Sequence, residues 1–237
     1  MTEPVIVLVH GAFAESASWN GVISRLTERG LTAIAVANPL RGLDGDAGYV
    51  RDVVASLNRP VVLVGHSYGG QVITQAAAGD PAVLALVYVA AFAPEQGESA
   101  LELSGKFPGS TLGDAVQAKA LSVGGIELAI DPAKFPLQFA ADVDPAEAAL
   151  MAATQRPVAE VALTAGLSCE PAWHALPNWH VWGGADRNIP AEAMRFMAQR
   201  AGARSAKEIA GASHALLVSH PGPVAETIVQ AVSAASN

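Results

Sequence analysis

Val61-Val62-Leu63-Val64-Gly65-His66-Ser67-Tyr68-Gly69-Gly70 reads as a strand, a tight turn and the start of a helix, with nothing between them. The apolar run is continuous rather than alternating, as in a parallel strand buried on both faces. Gln71-Val72-Ile73 then opens a helical pattern. Gly-x-Ser-x-Gly between strand and helix puts the serine on a sharp, strained turn, with its hydroxyl projecting above the sheet. Gly65 and Gly69 lack Cβ atoms, so strand and helix can approach closely around that turn. The helix N-terminus adds positive dipole where an oxyanion would develop. A chance Gly-x-Ser-x-Gly in a loop would need neither flanking element, and both are present. Ser67 is therefore the candidate nucleophile.

Further short apolar runs lie on either side: Val5–Val9, Thr32–Val36, Leu84–Val89, Trp179–Trp182 and Lys207–Ile209. Amphipathic stretches separate them. One runs from Ser18 through Val22, Ile23 and Leu26 to a stop at Gly30. Another covers Asp46–Leu57, with Tyr49, Val50, Val53, Val54 and Leu57 at helical spacing. Helices also follow Gly69, Pro190 and Pro221, the two prolines suiting first-turn positions. Alternating strands and helices imply a parallel α/β sheet of six strands with helices on both faces. The rhythm breaks between Pro94 and Leu167, where Asp114–Leu121 and Pro145–Thr154 read as short helices. A long insertion of this kind is expected to be a lid. The expected organisation is a core of residues 1–93 and 168–237 with a cap at 94–167. Phe107 and Phe135, Phe139 and Met151 of the cap, with Phe13, are candidates for packing it against the core or lining a pocket.

The 237 residues are 51% hydrophobic and 15% charged, enough for a large core and unlike a disordered chain. The net charge of −8, without any basic run, disfavours nucleic-acid binding. Cys169 stands alone, which excludes an internal disulfide and a cysteine-rich metal site. Met1-Thr2-Glu3-Pro4 carries no basic leader, and the Val5–Val9 run is too short for a signal core or a membrane span. These features lead to the expectation of a cytoplasmic protein without membrane, metal or cofactor partners.

A serine hydroxyl needs a base and an orienting acid, in chain order Ser, Asp or Glu, His. His214 and Asp186 each follow a strand closely, at the carboxyl edge of the sheet where such sites form. His10, His66, His174, His180 and His220 read as structural histidines. Asp80 falls at the wrong edge, and Asp131, Asp142 and Asp144 fall in the insertion. The oxyanion would be bound by the backbone N–H of Tyr68, after the nucleophile, and by one from His10-Gly11-Ala12-Phe13. Ala12 is the first choice there and Phe13 the second.

His10-Gly11-Ala12-Phe13 with Trp19, Gly65-His66-Ser67-Tyr68-Gly69-Gly70, and the Asp186 and His214 segments together resemble an α/β-hydrolase-fold serine hydrolase over essentially the whole chain. Val7-Leu8-Val9-His10-Gly11-Ala12 and Leu63 to Gly70 are similar to the group of plant methylesterases, hydroxynitrile lyases and bacterial esterases. The resemblance implies Ser67 as nucleophile, His214 as base, Asp186 as orienting acid, and Ala12 and Tyr68 as backbone donors. It implies cleavage of a carboxylic ester through an acyl-enzyme, with no cofactor, and the apolar insertion suggests that the ester is small and largely hydrophobic. The alternatives are cyanohydrin cleavage by the same triad, or a non-catalytic small-ligand binder. Lyases of the group often carry threonine or asparagine where this chain has Gly11. Some carry lysine where it has Ala215.

Overall fold

A computed structural model describes residues 3–235. Met1 and Thr2, part of the N-terminal stretch read above as lacking a leader, lie outside the described residues. In chain order, β1 (Val5–Val9), α1 (Asn20–Thr27), β2 (Ala33–Val36), α2 (Leu43–Leu57), β3 (Val61–His66), α3 (Tyr68–Ala76) and β4 (Val83–Val89) alternate strictly. After the insertion come β8 (Asn178–Gly183), α8 (Ala191–Arg200), β9 (Ser205–Ile209), α9 (Leu216–Ser219) and α10 (Pro221–Ala235). These six strands form one sheet in the order β2-β1-β3-β4-β8-β9, with every pairing parallel.

That order follows from connection handedness. Right-handed crossovers place α1, whose connection steps from β1 toward the β2 edge, on one face. The connections through α2, α3 and α8 step the other way, which puts those helices on the opposite face. Accordingly α1 packs with α10, and α2 packs with α3. Strands β1, β3 and β8 are buried at every residue; continuous apolar runs account for β1 and most of β3, whereas β8 buries Asn178 and His180 among its apolar residues. The two edge strands are only partly covered, and β9 is the more exposed.

The insertion holds α4 (Ala100–Gly105), β5 (Val116–Ala120), β6 (Ile126–Ile130), α5 (Phe135–Phe139), α6 (Pro145–Thr154), β7 (Val158–Ala159) and α7 (Glu160–Thr164). The Pro145–Thr154 helix starts and stops where its sequence predicts, because Asp144 caps it by accepting from the Ala146 and Glu147 N–H groups. The helix expected over Asp114–Leu121 is a misreading. A single 3₁₀ turn at Leu112–Asp114 leads into β5, which pairs antiparallel with β6, and β6 pairs with β7. Gly124 and Gly125, at φ 90° and 89°, turn the chain back on itself, so cross-strand pairing overrides the helical preference of Gln117-Ala118-Lys119-Ala120. Among the described residues no helix is long and apolar enough to cross a membrane.

Candidate active site

Strand β3 passes into α3 through Ser67 alone, which adopts φ 54°, ψ −125°. A non-glycine residue there costs about 1–3 kcal/mol and persists only where its surroundings over-determine it. The surroundings do so. The Ser67 N–H donates to the Val89 and Ala90 carbonyls at 3.3 and 3.1 Å, and the Ser67 carbonyl accepts from Gly70 and Phe92 at 3.0 and 3.2 Å. A Cβ at Gly65 would meet the Gly69 carbonyl oxygen at 2.5 Å, so only glycine lets helix and strand come this close. The Tyr68 phenol, buried beneath the turn, donates to Asp46 Oδ2 at 2.9 Å. Asp46 in turn accepts from the Arg41 and Gly42 N–H groups ahead of α2, so the first residue of α3 is fastened to the neighbouring helix. Burial and that carboxylate push the phenol further from ionising.

The loop after β1 lies directly over the turn. A Cβ at Gly11 would stand 2.5 Å from Ser67 Cβ and 3.1 Å from the Tyr68 nitrogen. Of the two donors considered there, Phe13 gives its N–H to the Arg156 carbonyl at 3.1 Å. No hydrogen bond among the described residues engages the Ala12 or Tyr68 N–H. Ala12, Phe13 and Ser67 border one cleft of about 400 Å³, including its open mouth. Phe92, Leu101, Leu112, Leu163 and Ile189 make its walls apolar.

His214 Nδ1 lies 2.6 Å from Asp186 Oδ2, and both side chains are essentially buried. Asp186 Oδ1 accepts from the Asn188 and Ile189 N–H groups at 2.7 and 2.9 Å. A carboxylate oxygen accepts, so the contact is one in which the His214 Nδ1–H donates to Asp186. Nε2 is buried and makes no hydrogen bond among the described residues, including to Ser67 Oγ. Leaving such an atom unpaired costs about 1–3 kcal/mol. The His66 Nε2–H donates to the His214 carbonyl at 3.0 Å, and the Phe139 ring meets the His214 ring edge-on at 4.9 Å.

The structure separates the five residues offered as packing or pocket candidates, and Phe107 packs against Phe196 with ring centroids 5.5 Å apart. Phe13 borders the cleft at Ser67. Phe135 and Phe139 do not: they stack at 4.8 Å inside the core, where Phe139 backs His66 and His214. Met151 borders a neighbouring groove. Aromatic content alone could not distinguish a wall from a backing layer. Phe92 and Ile189 of the cleft went unnamed in the sequence. Their only signal was position, shortly after β4 and after Asp186, at the sheet edge that carries Ser67.

The other histidines and acids have local partners. His174 sits between Glu170 and Glu95, and His180 stacks on Tyr88 at 4.5 Å. His220 and Ser219 meet Asp142. Asp80 and Asp131 accept from the backbone two residues ahead. Burial holds three imidazoles neutral: His10 falls to about 4, His180 to about 3, and His66 well below its ordinary value. The unfolded chain protonates each near pH 6.5, whereas the folded chain does not until lower pH. Stability is therefore full above that value and falls as pH drops toward 4, each histidine contributing up to about 1.4 kcal/mol per pH unit. The melting temperature, followed by circular dichroism, should fall steeply between pH 6.5 and 4.5; a flat profile would show that these rings are not held neutral.

Comparison with known proteins places this arrangement. Residues 6–227 match the model of the alpha/beta hydrolase family. The carbendazim hydrolyzing esterase of Nocardioides sp. (strain SG-4G) is 34% identical over 110 residues, which are 41% of this chain and 46% of that protein. The chain spans about half the length of the curated relatives it matches. Among solved structures, polyneuridine aldehyde esterase superposes with a TM-score of 0.82 at 21% identity, over 97% of this chain and 99% of the other. A methylesterase of Arabidopsis gives a TM-score of 0.81 at 16% identity, again over 97% and 99%. At those identities the likeness is one of fold. The family match extends over nearly the whole chain, strand β1 to helix α10: the protein belongs to the alpha/beta hydrolase family.

Proposed function

We propose that the protein is a serine esterase that cleaves small, largely hydrophobic carboxylic esters through an acyl-enzyme on Ser67. The observation that carries this reading is the strained Ser67 turn between β3 and α3, with the buried Asp186–His214 pair in loops at the same edge of the sheet. His214 takes the Ser67 proton as Oγ attacks the ester carbonyl. The imidazolium that forms is stabilised by Asp186, and the Ala12 and Tyr68 N–H groups bind the oxyanion. His214 then protonates the departing alcohol, and water hydrolyses the acyl-enzyme by the same steps in reverse. No metal or organic cofactor enters. The apolar walls of the cleft support a hydrophobic acyl group. Residues 94–167 act as the cap, contributing Ala100, Leu101, Leu112 and Leu163 to those walls. The relatives named above are esterases, which supports ester substrates.

Cyanohydrin cleavage is disfavoured because Gly11 and Ala215 stand where lyases of the group often carry threonine or asparagine and lysine. A threonine or asparagine at Gly11 would drive its Cβ to 2.7 Å from the His66 carbonyl oxygen and closer still to Ser67 Cβ. The protein should hydrolyse p-nitrophenyl acetate and butyrate and release no cyanide from mandelonitrile beyond the spontaneous rate. Cyanide release with no ester turnover would reverse the assignment, and inactivity on both, with esters, lactones and amides all tried, would favour a binder.

A further inference from the structure

The last two residues of α5, Gln138 and Phe139, touch both loops that carry the proposed acid and base. Gln138 is buried, and its amide is used in full. The Nε2 group donates to the Arg187 carbonyl at 2.9 Å and to Asn188 Oδ1 at 2.8 Å, while Oε1 accepts from Thr111 Oγ1 at 2.8 Å. Two more bonds from the insertion grip the same loop. The Thr111 N–H donates to the Arg187 carbonyl at 3.0 Å, and Ser110 Oγ donates to the Asn188 carbonyl at 2.9 Å. Asn188 in turn gives its N–H to Asp186 Oδ1. The Phe139 carbonyl lies at the end of its helix, where no intrahelical partner follows. It accepts from the Ala215 N–H at 3.0 Å and from Ser213 Oγ at 3.3 Å, the residues on either side of His214. The Phe139 ring packs against the imidazole between them.

From this geometry we infer that Gln138 is a positioning residue for the reaction: it sets the acid loop against the base loop, which the neighbouring Phe139 carbonyl holds. The inference rests on the reading of Asp186 and His214 as acid and base. These two residues are 28 apart in the chain, on separate loops, and the sheet brings the loops only to a common edge. Their 2.6 Å contact needs closer control, and α5 supplies it by holding one loop with a side chain and the other with a carbonyl. An apolar residue of the same length would fill the space of Gln138; the amide adds direction. Neither Gln138 nor Phe139 borders the cleft at Ser67, so each acts through the loop it holds. A misplacement of about 1 Å can cost about 100-fold in rate even when its cause lies away from the reacting atoms. The insertion is thus part of the apparatus that aligns the triad, in addition to walling the cleft.

The test is a double-mutant cycle read with p-nitrophenyl acetate. Gln138→Met keeps length and burial and removes all three side-chain hydrogen bonds. In the parent chain it should lower kcat by about 10- to 100-fold. KM should stay nearly unchanged, because the lost interaction matters only as the proton moves. In the Asp186→Asn chain, whose base already lacks its orienting carboxylate, the same substitution should cost less than about threefold, since residues that act through one another are not additive. Melting temperatures show that each protein is folded in the assay. Ser110→Ala, which removes the bond to the Asn188 carbonyl, serves if Gln138→Met does not fold, with a smaller loss and the same dependence on background. Equal losses in the two backgrounds, or parental kcat in folded Gln138→Met, overturn the inference. A loss confined to KM overturns it as well, because the effect would then lie on the cleft wall at Asn188 and Ile189. The triad is judged apart: parental turnover in Ser67→Ala or Asp186→Asn alone would sink that reading, whatever Gln138 does.

Discussion

Replacing Ser67 with alanine is expected to lower kcat for p-nitrophenyl butyrate by about six orders of magnitude, the loss seen when a serine nucleophile is removed from a triad that acts as a unit. The change deletes one oxygen and leaves the backbone alone. Ser67 is held at φ 54° by hydrogen bonds from its own N–H and carbonyl to the segment after β4, and alanine keeps all of them. The side chain makes no hydrogen bond among the described residues that folding would miss. Circular dichroism and the melting temperature should therefore match the parent, so a loss of turnover is chemical in origin. Some rate above the uncatalysed one should remain, because the Ala12 and Tyr68 donors and the cleft still bind the carbonyl. Near-parental turnover would mean that the acyl group is carried elsewhere.

Asp186→Asn is expected to lower kcat by about 10⁴-fold, the magnitude known for the equivalent change in a trypsin-type triad, for a reason the local geometry makes specific. Asp186 Oδ1 accepts two backbone N–H groups, from Asn188 and Ile189. An asparagine must place its carbonyl oxygen there, because its amide nitrogen would meet two donors. The NH₂ group is then left at the position of Oδ2, 2.6 Å from His214 Nδ1. It can only donate, so His214 must shift its hydrogen to Nε2 and lose the lone pair that accepts the serine proton. Fold and oxyanion donors are untouched, and the damage lies in the tautomer. Steady-state kinetics with p-nitrophenyl butyrate measures it. A loss below tenfold would show that the carboxylate is not what holds the base.

The candidate site was legible in the sequence because each part is local. A buried strand, a Gly-x-Ser-x-Gly turn and a helix need only ten consecutive residues to be read. Asp186 and His214 were readable as candidates because each follows a strand, and a parallel sheet brings all such loops to one edge. The six strands were readable for the same reason, as short apolar runs with helical punctuation. The insertion was harder, since its pairing is antiparallel and depends on a turn at Gly124-Gly125 that contends with the helical preference of its neighbours. Pocket walls were harder still. Phe139 and Phe13 look alike in sequence, yet one backs His214 and the other stands at the cleft, a difference set by packing across the interface between insertion and core. The Tyr68–Asp46 hydrogen bond likewise joins residues 22 apart, on helices whose adjacency follows only from the sheet order.

The central claim is that Ser67 becomes acylated, and trapping the acyl-enzyme tests it most directly. The protein is mixed with excess p-nitrophenyl butyrate, quenched in acid within the first turnover, and weighed intact before peptide mapping. The account predicts a burst of p-nitrophenol matching the enzyme concentration, a mass increase of one butyryl group, and that group on the Ser67 peptide. Ester turnover with no label at any quench time, or a label on another residue that survives in Ser67→Ala, would contradict it.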